Sequence, residues 1–177
     1  MSSLDEIRII KFEDIGLEDV LKHCNESAWR EGGVAKSRYS LEKGSSINKN
    51  IRDADIADMP SSFYEQIDIA IDPHIKQYAK DNNIGISKNT AYIVTRYLKD
   101  QFFVEHTDST EEFPRKISAI LYLNDNYSGG TLTFTKFNKT FKPNKGSLFI
   151  FPSSEEFSHS ADPVTDGIKY VIVGFWE

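Results

Sequence analysis

Cysteine is nearly absent: Cys24 is the only one in 177 residues. No intrachain disulfide can form, and no thiolate cluster can hold a metal. The thiol reads as a half-buried, unreactive group on a helix, and such a chain suits a reducing cytoplasm. Long apolar runs are also missing, none approaching the length that spans a bilayer. Positive charge is in short supply, with 21 Lys and Arg against 27 Asp and Glu for a net charge of −6. A dedicated nucleic-acid binder needs a basic surface to neutralise phosphates, so that class is excluded, and an anionic membrane surface is disfavoured for the same reason. The opening MSSLDEIRII has no basic stretch followed by an apolar block and a small-residue cleavage site, so no secretory signal is expected. Apolar and charged fractions are those of an ordinary globular protein, and the length suits one domain over 1–177.

The order of patterns along the chain predicts the fold class. Leu17, Val20, Leu21 and Cys24 recur at helical spacing, and Gly32-Gly33 would stop a helix. Residues 37–59 are polar, with Gly44-Ser45-Ser46 and Asn48-Lys49-Asn50, and read as a loop or weak strand. After Pro60, the positions Phe63, Ile67, Ile71, Ile75 and Tyr78 repeat every three or four residues. Pro73 lies among them and predicts a kink or a break into two helices. A helical part over 1–88 therefore precedes a stretch of another character. From Asn89 onward come short β-branched and aromatic runs: 91–98, 102–106, 117–123, 131–134, 139–142, 147–151 and 168–175. Asn124-Asp125-Asn126, Ser128-Gly129-Gly130 and Pro143-Asn144-Lys145-Gly146 supply turns. Helices followed by many short strands predict an α+β, mainly β chain. Its core over 89–177 would be a jelly roll (double-stranded β-helix) with N-terminal supporting helices.

Chemistry begins at His106-Thr107-Asp108. Side chains at i and i+2 of a strand share a face, so an imidazole and a carboxylate stand side by side. Alone, the pair is weak evidence, since His-x-Asp arises often by chance at a solvated strand end. Of the other three histidines, His23 and His74 sit on helical segments and read as surface or helix-packing residues. His159 differs, lying between the apolar run 147–151 and the last strand. Two histidines and a carboxylate on jelly-roll strands form a facial triad that leaves iron positions open. Zinc would accept the same ligands in a hydrolytic site, so the triad leaves the reaction open. Lys169 narrows it. This lysine heads an apolar strand and must meet an anion or reach solvent. By strand parity it shares a face with Val171, Val173 and Phe175. If that face lines the barrel, the ammonium could pair with one end of a dicarboxylate whose other end chelates iron, and 2-oxoglutarate is such a molecule. The alternative is a strand-end lysine reaching water.

The segments RYLKDQFFVEHTD, SAILYLNDNYSGGTLTF, KPNKGSLFIFPSS and HSADPVTDGIKYVIVGFW, spanning Tyr92 to Trp176, resemble the catalytic core of the 2-oxoglutarate/Fe(II)-dependent dioxygenases. Their prolyl 4-hydroxylase branch is the most similar. The resemblance implies that His106, Asp108 and His159 bind Fe(II) and that Lys169 pairs with the 2-oxoglutarate C5 carboxylate. It further implies that Tyr97 and Tyr122 contact the co-substrate; a tyrosine packs an apolar wall while its hydroxyl donates to an anion. Three departures fall on the substrate side. Asp100 stands where the family often has glycine, Phe103 where it often has tyrosine, and Phe175 where it often has tryptophan, with Trp176 one place later. Residues 48–55, with Arg52, resemble a loop that covers substrate. Arg52, Phe103, Phe175 and Trp176 are thus the candidate substrate contacts. The implied activity is hydroxylation of a prolyl residue in a peptide or protein by O2, with 2-oxoglutarate converted to succinate and CO2 and ascorbate as a reductant. A free amino acid or other small molecule is the alternative substrate, a non-catalytic metal-binding jelly-roll module the alternative role, and a zinc hydrolase the remaining reading.

Overall fold

Residues 4–13, 15–35, 45–87 and 89–177 are described by the computed structural model. The segment 36–44 lies outside the described residues, and with it most of the first half of the expected 37–59 loop. In chain order come β1 (Arg8–Lys11), α1 (Leu17–Glu26), β2 (Arg30–Glu31), β3 (Val34–Ala35), β4 (Ser45–Ser46), β5 (Arg52–Asp53), β6 (Asp55–Asp58) and α2 (Ser61–Asp81). The strands β7 (Asn89–Tyr97), β8 (Phe102–His106), β9 (Ile117–Tyr122), β10 (Ser128–Gly129), β11 (Leu132–Phe134) and β12 (Lys139–Phe141) follow. The chain ends with β13 (Ser147–Pro152), β14 (His159–Ala161), β15 (Val164–Asp166) and β16 (Lys169–Trp176).

Two antiparallel sheets face each other. The larger runs β1-β13-β9-β16-β7-β6-β2 and the smaller β12-β11-β14-β8-β5, with β10 pairing β15 beside them. This is the double-stranded β-helix. Strand parity decides what lies between the sheets and what lies behind. Ile120 and Tyr122 of β9, Phe149 and Phe151 of β13, and Val171 and Val173 of β16 pack inward with Leu132 and Phe134. The alternate residues Ile117, Ala119, Leu121, Leu148, Ile150 and Ile172 face the other way, onto the helices. There Ile67, Ile71, Ile75 and Tyr78 of α2 and Leu17, Val20 and Cys24 of α1 cover them. Each fully buried aliphatic side chain contributes on the order of 1.5–3 kcal/mol, so the helices are structural supports for the sheet that carries the site.

Four expectations need correction. The first 88 residues are not only helical: β1 extends one edge of the larger sheet by pairing with β13, β6 pairs with β7, and β5 pairs with β8. Their short, polar sequences carry too little alternation to announce strands. Helix α1 stops at Ser27 rather than at the two glycines, since Ser27 is already extended with ψ 149. Helix α2 runs unbroken through Pro73. Pro73 is exposed, on the same side as Ile69 at 75% exposure, so water can solvate the Ile69 carbonyl that loses its helical donor. Cys24, finally, is fully buried at 1% exposure, and burial pushes its thiol up to about 11. Among the described residues no helix is long and apolar enough to cross a membrane.

Candidate active site

His106 ends β8 and Asp108 follows it by two, so both project between the sheets. β14 pairs antiparallel with β8 so that His159 lies opposite His106, which brings the third residue in across the sheet. One donor atom from each of the three lies within 4.8 Å of the others. His106 Nε2 is 3.4 Å from Asp108 Oδ1, and His159 Nε2 is 3.7 Å from Asp108 Oδ2.

The surroundings orient the three side chains. His106 Nδ1 lies 2.9 Å from the Val104 carbonyl and His159 Nδ1 3.1 Å from the Phe157 carbonyl. A carbonyl only accepts, so each Nδ1 carries the proton and each Nε2 keeps its lone pair for a ligand. Phe103 stacks on His106 with ring centroids 3.5 Å apart, while Phe151 meets His159 edge-on at 4.9 Å. Ser118 Oγ donates to Asp108 Oδ2 at 2.6 Å and shares a 2.7 Å hydrogen bond with Ser153 Oγ. Burial works against the Asp108 charge, but His159, His106 and Ser118 hold the carboxyl well below the usual carboxylate range. Burial also pulls His159 down to about 4, against the pull of Asp108. At neutral pH the site thus presents an ionised carboxylate and a neutral imidazole, the states a divalent cation requires of its ligands.

The donor set faces a cavity of about 470 Å³. Lys169, Tyr97 and Tyr122 line it, as do Arg52, Phe103 and Phe175. Lys169 is 2% exposed, and its ammonium lies over the rings of Tyr97 and Tyr122 at 5.0 and 5.4 Å. Its hydrogen bond goes to a neutral acceptor, the Gly130 carbonyl at 2.8 Å. Gly130 has a φ of +59, and a Cβ there would meet the Tyr127 ring and Lys169 Cδ at about 3.0–3.2 Å, so glycine is needed for this approach. Burial, with Lys142 adding to it against the attraction of Asp162, pulls the Lys169 ammonium down from 10.5 to about 7. A buried cation without a contacting carboxylate is costly, and an anion entering the cavity would relieve that cost. His₂-carboxylate ligation open on the cavity side, with a buried ammonium in the same cavity, fits an iron(II) ion chelated by a dicarboxylate.

Trp176 does not belong to this set. It is 2% exposed and packs behind the sheet, with its ring 6.0 Å from that of Tyr92. Adjacent strand residues point to opposite faces, so the parity that puts Phe175 into the cavity takes Trp176 out of it. His23 and His74 are helix-packing residues, tilted on Phe63 and edge-on to Phe12 respectively. Two groups at the site lie outside the candidates read from the sequence. Ser118 is 0% exposed on an otherwise apolar strand, and a hydroxyl there must find a partner, which was a usable signal. Arg115, just before β9, also lines the cavity; its guanidinium lies 3.6 Å from the Phe175 ring centroid and Nη1 donates to the Asp108 carbonyl at 3.3 Å. Nothing in its local sequence separates it from a surface arginine.

Residues 92–177 match the family model described as the 2OG-Fe(II) oxygenase superfamily, just under half of the chain. Over those residues the chain resembles that superfamily. Fe(II) and 2-oxoglutarate are the metal and co-substrate of its members. Within it the chain resembles the prolyl 4-hydroxylase-like branch. A putative prolyl 4-hydroxylase of Acanthamoeba polyphaga mimivirus is 26% identical over 147 residues, covering 72% of this chain and 59% of that protein. A PKHD-type hydroxylase of Rippkaea orientalis is 34% identical over 94 residues, covering 48% of this chain and 41% of that protein. The chain thus spans about half the length of these two relatives. The fold of this chain matches that of a prolyl hydroxylase from Trichoplax adhaerens, solved with a hypoxia-inducible-factor peptide. The TM-score is 0.74 at 22% identity, covering 98% of this chain and 84% of that one.

Proposed function

We propose that this protein is a dioxygenase that hydroxylates an unactivated C–H bond of a prolyl residue in a peptide or protein, with 2-oxoglutarate converted to succinate and CO2. The observation that carries the reading is the buried Lys169 ammonium in the same cavity as the His106, Asp108 and His159 donors. In that reading the three donors hold Fe(II), and Lys169 receives the C5 carboxylate, flanked by Tyr97 and Tyr122. Iron(II) with 2-oxoglutarate supplies the activation of O2 that attacks the C–H bond. The chain's own residues bind, orient and shelter. Ser118 and Ser153 fix the Asp108 carboxylate, and the carbonyls of Val104 and Phe157 fix the two imidazoles. Phe103 against His106, and Phe134 and Phe151 against His159, shelter the donors. The prolyl substrate is supported by the names of the curated relatives and by the apolar wall of Ile51, Ile93, Phe103, Phe113, Val173 and Phe175 on the cavity.

Incubation with Fe(II), 2-oxoglutarate and a proline-containing peptide library, read by mass spectrometry, tests it. Peptides gaining 16 Da at proline alongside stoichiometric succinate are expected. Products confined to free amino acids would replace the substrate while keeping the chemistry. Absence of succinate under all conditions would leave a metal-binding module.

A further inference from the structure

Two arginines converge on the cavity besides the charges already described. Arg52 comes from β5, at the edge of the smaller sheet, and Arg115 from the segment before β9. Arg52 Nη1 donates to the Gly33 carbonyl at 3.0 Å and Nη2 lies 3.5 Å from Thr95 Oγ1. Its Nε is buried without a hydrogen-bond partner. Arg115 spends one donor on the Asp108 carbonyl and lies against Phe175. Among the described residues neither guanidinium forms an ion pair. The carboxylates felt by Arg115 are Asp108 and Glu177, while Arg52, a like charge, opposes it.

The charges of the loaded site show what is missing. Iron(II) and the Lys169 ammonium bring three positive charges; the 2-oxoglutarate dianion and Asp108 bring three negative ones. These cancel, and both guanidiniums remain, with Glu177, whose effect is smaller than that of Asp108, left to offset Arg115. Like charges held together out of bulk water repel, and Arg presents a planar set of donors matched to a carboxylate. A neutral prolyl ring with neutral neighbours would leave these donors unanswered.

We infer that the substrate carries a carboxylate close to the hydroxylated carbon, and that Arg52 and Arg115 select it. This rests on the hydroxylase reading above. The carboxylate has two chemical sources: an Asp or Glu side chain next to the target proline, or the terminal carboxylate of a proline that ends a chain or is free.

The test uses matched pairs on the wild-type protein. Peptides with Asp before or after proline are compared with their Asn counterparts, and peptides ending in proline acid with the corresponding amides. Free proline is compared with prolinamide. Binding is measured by calorimetry with Mn(II) in place of Fe(II) and 2-oxoglutarate present, so that no turnover intervenes. At least a tenfold tighter Kd is expected for the acid in one pair type, and the pair that shows it identifies the source. In Arg52→Gln and Arg115→Gln singly the ratio of the neutral Kd to the acid Kd should fall, and in the double variant it should approach one. Equal Kd within every pair, including no measurable binding of either member, overturns the inference even if a variant fails to fold. Succinate formation with Fe(II) is scored separately. Turnover without acid preference removes this inference alone, whereas acid preference without succinate removes the hydroxylase reading.

Discussion

Lys169→Met separates what the ammonium does for the fold from what it does for the co-substrate. The substitution keeps an unbranched side chain of similar reach and removes the charge. Burial pulls the ammonium from 10.5 to about 7, which corresponds to roughly 4–5 kcal/mol against holding the charge there in the free protein. Against that, the variant leaves the Gly130 carbonyl without its 2.8 Å donor, a loss of about 1–3 kcal/mol. The net expectation at pH 7 is a variant more stable than wild type by about 2 kcal/mol, or roughly 4–8 °C in Tm for a chain of this size. The sign reverses with pH in a defined way. Between about 7 and 10.5 the unfolded lysine holds a proton that the folded one has released, so wild-type stability rises with pH across that window. The advantage of methionine should therefore shrink above pH 7, be gone near about pH 9 and reverse above it. Denaturation of metal-free protein, followed by circular dichroism at several pH values, measures this.

The same substitution should weaken 2-oxoglutarate binding by about thirtyfold or more, since truncating one partner of a buried charge pair costs on the order of 2–5 kcal/mol. In wild type, binding needs the protonated ammonium. Affinity for 2-oxoglutarate should hold level below about pH 7 and fall with rising pH above it. A methionine variant less stable than wild type at pH 7 would show that the charge supports the fold. Unchanged 2-oxoglutarate affinity would place the anchor elsewhere. Either result refutes the reasoning.

Asp108→Ala, alone or with His106→Ala, should abolish succinate formation while leaving the far-ultraviolet dichroism intact; turnover by the folded double variant would sink the iron assignment. Ser118→Ala removes the 2.6 Å hydrogen bond to Asp108 Oδ2 and should weaken metal binding by about 10–100-fold in a chelator-competition titration, and an unchanged constant would deny Ser118 a positioning role. Trp176→Phe should lower stability by about 1–2 kcal/mol without changing KM for substrate, because the indole packs behind the sheet against Tyr92. A shift in KM at unchanged stability would return Trp176 to the substrate side.

What could be read from the sequence follows from how local each feature is. His106 and Asp108 share a face because of i, i+2 spacing alone. Lys169, Val171, Val173 and Phe175 share the cavity for the same reason, and all four line it. The same parity takes Trp176, one place after Phe175, to the opposite face of the strand. His159 needed a tertiary fact, the antiparallel pairing of β14 with β8, and β14 itself, three residues long, was not legible as a strand. The N-terminal strands were hidden for a related reason: edge strands such as β1 and β5 are short and partly exposed, so period-two alternation has few residues in which to show. Asp100 was legible only as a departure, and its φ of +68 supplies the reason glycine would suit that turn.

The metal end and the substrate end of the cavity differ in this respect for a physical reason. Metal ligation requires few residue types at fixed mutual distances, and strands supply those distances from adjacent sequence positions. The selection inferred for Arg52 and Arg115 requires only that side chains from separate segments end in one cavity. Each of those residues is ordinary where it stands in the sequence, and an arginine beside a core strand usually reaches water. Arg52 and Arg115 acquire meaning only when the fold buries part of one and brings both to the same cavity, with no ion pair formed to either among the described residues. A protein with a net charge of −6 has abundant carboxylates with which to neutralise two arginines. That it leaves this pair facing the cavity is therefore better explained by an anion that arrives from outside than by a lack of partners within.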